Sequence, residues 1–241
     1  MVWGMQQPGP GKYGPYGDYE GEARIASGWR NRLKEHYKAQ PDAEQDRLFN
    51  PPDSQARAHF YAGYVVKKFK FEVGSQPMGV KALITPIEPH EPIRFYELEK
   101  GQKTIPSIIS LPSMLWAVDE NVKRLIDELD PGVHQFYPFE IRNRRGKVYP
   151  VTYYMFVSGR WLESYDTTEN EASKIHDGHY RSPSSQAEGK RTSMRRSVFG
   201  DAPLWWERKF RNELLCFSDE FAERLTASEL WLPKFFRLKE I

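Results

Sequence analysis

The strongest constraint on this chain is an internal repeat. The heptapeptide Asp119-Glu120-x-x-x-Arg124-Leu125 returns as Asp219-Glu220-x-x-x-Arg224-Leu225, and each copy follows a short apolar run and precedes an aromatic, strand-like segment. In the first copy Asp119 is placed to cap a helix, acidic residues occupy the first turn, and Val122, Leu125, Ile126 and Leu129 fall on one face. Asp130-Pro131-Gly132 ends that helix. Residues 135–141 then alternate as a strand, the basic stretch 142–147 forms a turn, and residues 148–157 return as a second strand. The second copy begins at Ser218 or Asp219, carries a short helix to about Leu225, and closes with a strand over 230–238 that has no hairpin partner of its own. The fold class implied is α+β, with a mixed or antiparallel sheet, the helix-then-strand unit used twice, and an additional N-terminal helix.

Upstream of the repeat the signals change. Residues 1–22 are Gly, Pro, Tyr and Gln with no hydrophobic period, which predicts a flexible arm laid over the surface. Ala23, Ile25, Trp29, Leu33 and Tyr37 recur at helical spacing and predict one amphipathic helix over 22–48, stopped by Pro51-Pro52. The aromatic and β-branched run HFYAGYVVKKFKFEV predicts a strand, VKALITPI a second, and residues 94–98 another. Three units follow: the arm at 1–22, a helix-and-strand region at 23–98, and an α+β domain at 99–241 interrupted by a polar insertion near 167–196.

Composition enters as a set of exclusions. The formal charge of +2 gives no field that would steer the chain to nucleic acid, so that partner is disfavoured. Cys216 is the only cysteine; it forbids an intrachain disulfide, and its setting Leu214-Leu215-Cys216-Phe217 marks it as a small core residue. No run approaches the roughly 18 apolar residues of a membrane span, and residues 1–19 have no secretory apolar region, so a cytoplasmic protein without a membrane partner is expected. Aromatic residues make up 14% of the chain, enough to serve interfaces as well as cores.

Chemistry-bearing motifs are sparse. There is no Gly-x-Ser-x-Gly elbow and no glycine-rich phosphate loop. The pairs Asp119-Glu120 and Asp219-Glu220 are explained as helix starts, so no catalytic residue is assigned and no cofactor is expected. His176 and His179 form the one weak metal-ligand pair, without a placed third ligand. The insertion is acidic at its start, with Asp166, Glu169 and Glu171, and basic at its end, with Arg191, Arg195 and Arg196. These six, together with Trp205 and Trp206 if exposed, are the candidate partner-binding residues.

The stretch Val118-Asp119-Glu120 to Leu129 with QFYPFEI, the strand VYPVTYYMFV, and the closing CFSDEFAERLTASELWLPKFFRL together resemble a bacterial family over roughly residues 100–241. That family is the eleventh class of polymorphic-toxin immunity proteins, of myxobacterial type, formerly a domain of unknown function. The resemblance implies a non-enzymatic protein that binds and neutralises a cognate toxin in the cytosol, the toxin arriving by contact-dependent or type VI delivery. It transfers no functional residue. Alternatives from the residues themselves are a hydrolase reversing a toxin's modification, metal-dependent through His176 and His179, and an RNA-binding protein using residues 181–196.

Overall fold

Three strands of this chain are apolar on both faces, and they determine its layering. Leu115–Asp119 reads LWAVD, Leu204–Glu207 LWWE and Leu214–Ser218 LLCFS, and all but the last residue of the third are buried. Continuous burial of this kind requires cover on both sides of a sheet. The computed structural model describes residues 1–6, 14–21, 27–49, 56–77, 79–80, 82–99, 102, 104–168, 175, 179–210 and 214–241. In chain order the elements are β1 (Val2–Gln6), β2 (Gly17–Tyr19), α1 (Gly28–Lys38), α2 (Asp42–Leu48), α3 (Arg57–Lys68), β3 (Phe95–Leu98), β4 (Ile108–Leu111), β5 (Leu115–Asp119), α4 (Glu120–Leu129), β6 (Gln135–Asn143), β7 (Tyr153–Val157), β8 (Trp161–Leu162), α5 (Gln186–Gly189), β9 (Ser193–Met194), α6 (Arg196–Phe199), β10 (Leu204–Glu207), β11 (Leu214–Ser218), α7 (Asp219–Ala227) and β12 (Phe236–Glu240).

These strands form two six-stranded mixed sheets, ordered β2-β3-β6-β7-β5-β4 and β8-β10-β11-β1-β12-β9. The period-two alternation of side chains assigns each face to a different core. Trp116, Val118 and Phe156 of the first sheet share a core with Met5, Leu204, Trp206, Leu215 and Phe217 of the second, completed by Val122 and Ile126 of α4 and Phe221 and Leu225 of α7. Leu115, Ala117, Tyr153 and Met155 instead join Trp29, Leu33 and Tyr37 of α1 and Tyr61 and Val65 of α3. On the far side of the second sheet, Val2, Trp205, Leu214 and Cys216 pack with Tyr165, Tyr180, Met194 and Phe199. The fold is α+β, as expected, but built on two sheets.

The repeat is real, and its parts have diverged. Each copy is a buried strand running into a helix, β5 into α4 and β11 into α7, and the two strands lie in different sheets. Asp119 Oδ1 accepts from the Val122 amide at 3.0 Å, whereas in the second copy Ser218 Oγ accepts from Phe221 at 3.2 Å, so the cap moves by one residue. Asp219 is thereby released to accept from Trp3 Nε1 at 2.8 Å. Arg224 contacts Glu220 on its own helix and Glu128 on α4, which ties the two copies together. The β6–β7 hairpin is present, its basic turn held by Asn143 Oδ1 accepting from the amides of Arg145 and Lys147, but the returning strand begins at Tyr153 and not at residue 148, which makes only an isolated bridge to Arg142. The last strand begins later than the sequence suggests, at Phe236, and pairs with β1 and β9.

Several expectations upstream are corrected. Residues 1–6 are not a surface arm: β1 pairs antiparallel with β11 on one edge and β12 on the other, with Val2 and Met5 wholly buried. The single helix over 22–48 is two, because Pro41 has no amide hydrogen to continue α1 and instead precedes α2. HFYAGYVVKKFKFEV is not a strand; residues 57–68 are α3, whose Tyr61, Val65 and Lys68 lie a helical turn apart and face the core. No strand forms in the described part of VKALITPI; Ile84 is buried there within a loop.

The α1–α3 layer encloses a polar network. Lys68 Nζ lies 2.6 Å from Glu91 Oε1, both buried, and Glu91 also accepts from the Glu88 amide and Tyr61 Oη. A buried pair holds when its remaining donors and acceptors are filled, and the Pro86 carbonyl takes another Lys68 proton. Beside it His90 stacks on His36 at 3.7 Å, with Nε2 2.7 Å from Tyr61 Oη.

Two predictions follow from this architecture. Deleting residues 1–6 strips the partner from both β11 and β12; at about 1–3 kcal/mol per buried backbone group left unsatisfied, the ladder's loss exceeds the roughly 5–15 kcal/mol that holds a domain. The truncated chain should show no cooperative transition by circular dichroism. Burial, and then the neighbouring His36, push the His90 imidazole down to about 4. The unfolded chain, with a pKa of about 6.5, therefore takes up that proton first. His90's contribution is complete above pH 6.5 and declines as the pH falls towards 4, so urea titrations of His90→Gln should show a flatter stability profile across that window than the parent.

Candidate functional site

The α3 helix has two unlike faces. Tyr61, Val65 and Lys68 point inward, while Phe60, Gly63, Lys67 and then Lys70 follow at three- and four-residue spacing along the outer side. Along that side runs a groove of about 480 Å³, of the size that holds small ligands or an anchoring side chain. Its far lip is the Pro112–Met114 turn, where Ser113 and Met114 have φ of 62° and 60°. Two successive non-glycine residues in the left-handed region cost roughly 1–2 kcal/mol each. The turn is held by Tyr19, whose hydroxyl donates to the Pro112 carbonyl at 2.5 Å. The result is that Met114 stands about half exposed opposite Phe60, which is 54% exposed.

The groove floor contains an unfilled position. A Cβ added at Gly63 would meet nothing within 4 Å among the described residues, so none of these requires glycine there, although glycine inside a helix costs about 0.5–1 kcal/mol relative to alanine. Arg30 of α1, His59, Lys67 and Lys70 supply positive or protonatable groups to the walls, and no acidic residue lines the groove among the described residues. Burial, and then the nearby Lys67 ammonium, hold Lys70 below the usual lysine range. The combination is an apolar floor with a cationic rim.

The residues singled out from the sequence are scattered. Trp205 and Trp206 are not surface anchors: they lie on opposite faces of β10, Trp205 donating to Ser164 Oγ at 3.1 Å and Trp206 set edge-on to Trp116. Asp166 accepts from the amide and hydroxyl of Thr168, which hold it below the usual carboxylate range. Arg195 donates to the Glu163 carbonyl and Arg196 pairs with Glu240 and Asp201, while Arg191 is exposed near the end of the same segment. The later half of the expected insertion is built into the fold, with Thr192, Ser193 and Met194 buried where β9 joins β12. Glu169, Glu171 and His176 lie outside the described residues. His179 is described; its partner in the metal pair is not, and no group of three metal-ligating side chains occurs among the described residues.

One constellation was invisible in the sequence. His134 Nε2 lies 3.0 Å from Asp130 Oδ2, and Ser158 Oγ is 3.2 Å from His134 Nδ1. The only trace was the four-residue spacing of Asp130 and His134. Although this resembles a nucleophile–base–acid relay, its hydrogen bonds are spent on structure. The Gly159 amide donates to His134 Nδ1, leaving the ring proton on Nε2 for Asp130, and Ser158 Oγ accepts from the Arg160 amide and donates to the Arg160 carbonyl. Arg160 grips Asp130 with both terminal nitrogens. All three members are at most 8% exposed, burial above all holds His134 below the ordinary histidine range, and the adjacent cavity is lined by Asp130 and Arg160, not by Ser158 or His134. The cluster clamps the end of α4 to the β7–β8 connection.

The α3 groove combines exposed apolar side chains with positive ones. The model of the immunity protein family Imm11 matches residues 28–239, and the chain belongs to that family. The match includes α1–α3 and the groove, beyond the residues near 100–241 on which the resemblance first rested. No curated protein matches the chain significantly. No helix among the described residues is long and apolar enough to cross a membrane.

Since no described residue requires glycine at position 63, Gly63→Ala should raise the unfolding free energy by about 0.5–1 kcal/mol. Chemical denaturation of the two proteins measures this directly.

Proposed function

We propose that this protein binds a cognate antibacterial toxin and neutralises it by stoichiometric occlusion, in the cytosol of the cell that makes both. The observation that carries this reading is membership of the immunity protein family across nearly the whole chain. The molecule is suited to it. A groove with half-exposed Phe60 and Met114 supplies anchor positions, and a charged rim supports rapid capture of a partner before it acts. The toxin is of the secreted polymorphic kind, delivered by contact-dependent or type VI machinery, and the immunity protein acts without catalysis.

Co-expression with the toxin encoded beside it provides the test. The expected result is restored growth and a stable complex of defined stoichiometry on gel filtration. A toxin that kills equally with and without this protein rejects the reading.

A further inference from the structure

We propose that the α3 groove receives an acidic segment of the toxin, one apolar side chain of which sits over Gly63 between Phe60 and Met114 while flanking carboxylates pair with Arg30, Lys67 and Lys70. This rests on the toxin-binding reading above and assigns it a surface. Three independent features point to such an occupant. The first is charge: the described lining contains Arg30, His59, Lys67 and Lys70 and no carboxylate, so an anionic partner is the complement. Among the described residues Lys67 donates to the Gly79 carbonyl at 3.4 Å. The second is the open position at Gly63, where a helix forgoes a side chain that no described residue excludes. An approaching side chain gains the depth that a native Cβ would remove. The third is the Ser113-Met114 turn, a left-handed pair held by Tyr19 that presents Met114 to solvent. Strain kept at a surface lip is characteristic of binding sites.

These features favour a protein segment over a nucleic acid. The net charge of +2 supplies no field for a polyanion, whereas an apolar centre bordered by a few charges is the usual anatomy of a protein interface.

The test uses the full chain and the purified toxin domain, with affinity read by calorimetry and protection by growth. Gly63→Leu fills the floor, and the double variant Lys67→Glu/Lys70→Glu reverses the rim; both changes lie on the outer face, and circular dichroism with thermal unfolding reports the fold. Each should retain a parent-like transition yet weaken toxin binding by at least about tenfold, the effect of one good contact. Lys67→Arg should bind as the parent does, and added salt should weaken the parent complex more than the charge-reversed one. If both variants bind and protect like the parent, the groove assignment is wrong while toxin neutralisation stands. A parent chain that neither binds nor protects overturns both. Loss of affinity for a single-stranded RNA oligonucleotide in these variants, with toxin affinity unchanged, would assign the groove to nucleic acid and reject the proposal.

Discussion

The fold depends on the insertion of β1 between β11 and β12. All five residues of β1 pair with β11 along one edge and three of them, Val2 to Gly4, pair with β12 along the other, and Trp3 reaches Asp219 across 216 positions of sequence. Without β1 the second sheet divides into two parts, and Met5 is missing from the core that joins the sheets. Closure over such a distance is entropically costly, and contacts of this range slow folding. The sheet cannot be completed until residues 236–240 are available to pair, so the first residues of the chain are among the last to find their place.

How much of this was legible in the sequence follows from how local each signal is. The helix starts at Asp119 and Ser218, the β6–β7 hairpin, β3 and the buried Cys216 were all readable, because capping, turn chemistry and alternation act within a few residues. The strand β1 was not, since Val2, Trp3 and Met5 are too few among glycines and prolines to show a period, and their burial is decided by partners more than two hundred residues away. In α3 the composition favoured a strand while the spacing of Tyr61, Val65 and Lys68 favoured a helix, and packing against α1 selected the helix. That misreading also hid the groove, because Phe60, Gly63, Lys67 and Lys70 share a face only when wound at 3.6 residues per turn. Trp205 and Trp206 illustrate the reverse case: adjacent rings on a strand covered on both sides are both buried, on opposite faces.

The molecule separates stability from recognition. Two of its polar clusters, the Lys68–Glu91 pair and the Asp130–His134–Ser158–Arg160 clamp, are built into the interior and satisfied by neighbours. The α3 groove is of another kind: it is lined by the half-exposed Phe60 and Met114, by positive side chains and by a left-handed turn. The chain belongs to the immunity protein family Imm11, and a surface of this type can be altered with little effect on the buried networks beneath it.

The open position at Gly63 gives that separation a simple form. Because a Cβ there meets no described neighbour, successive side-chain sizes at this one site would change the depth of the groove and leave the packed side of the helix untouched. A single codon thus serves as a depth gauge for this face of the molecule, adjustable in small steps without endangering the scaffold.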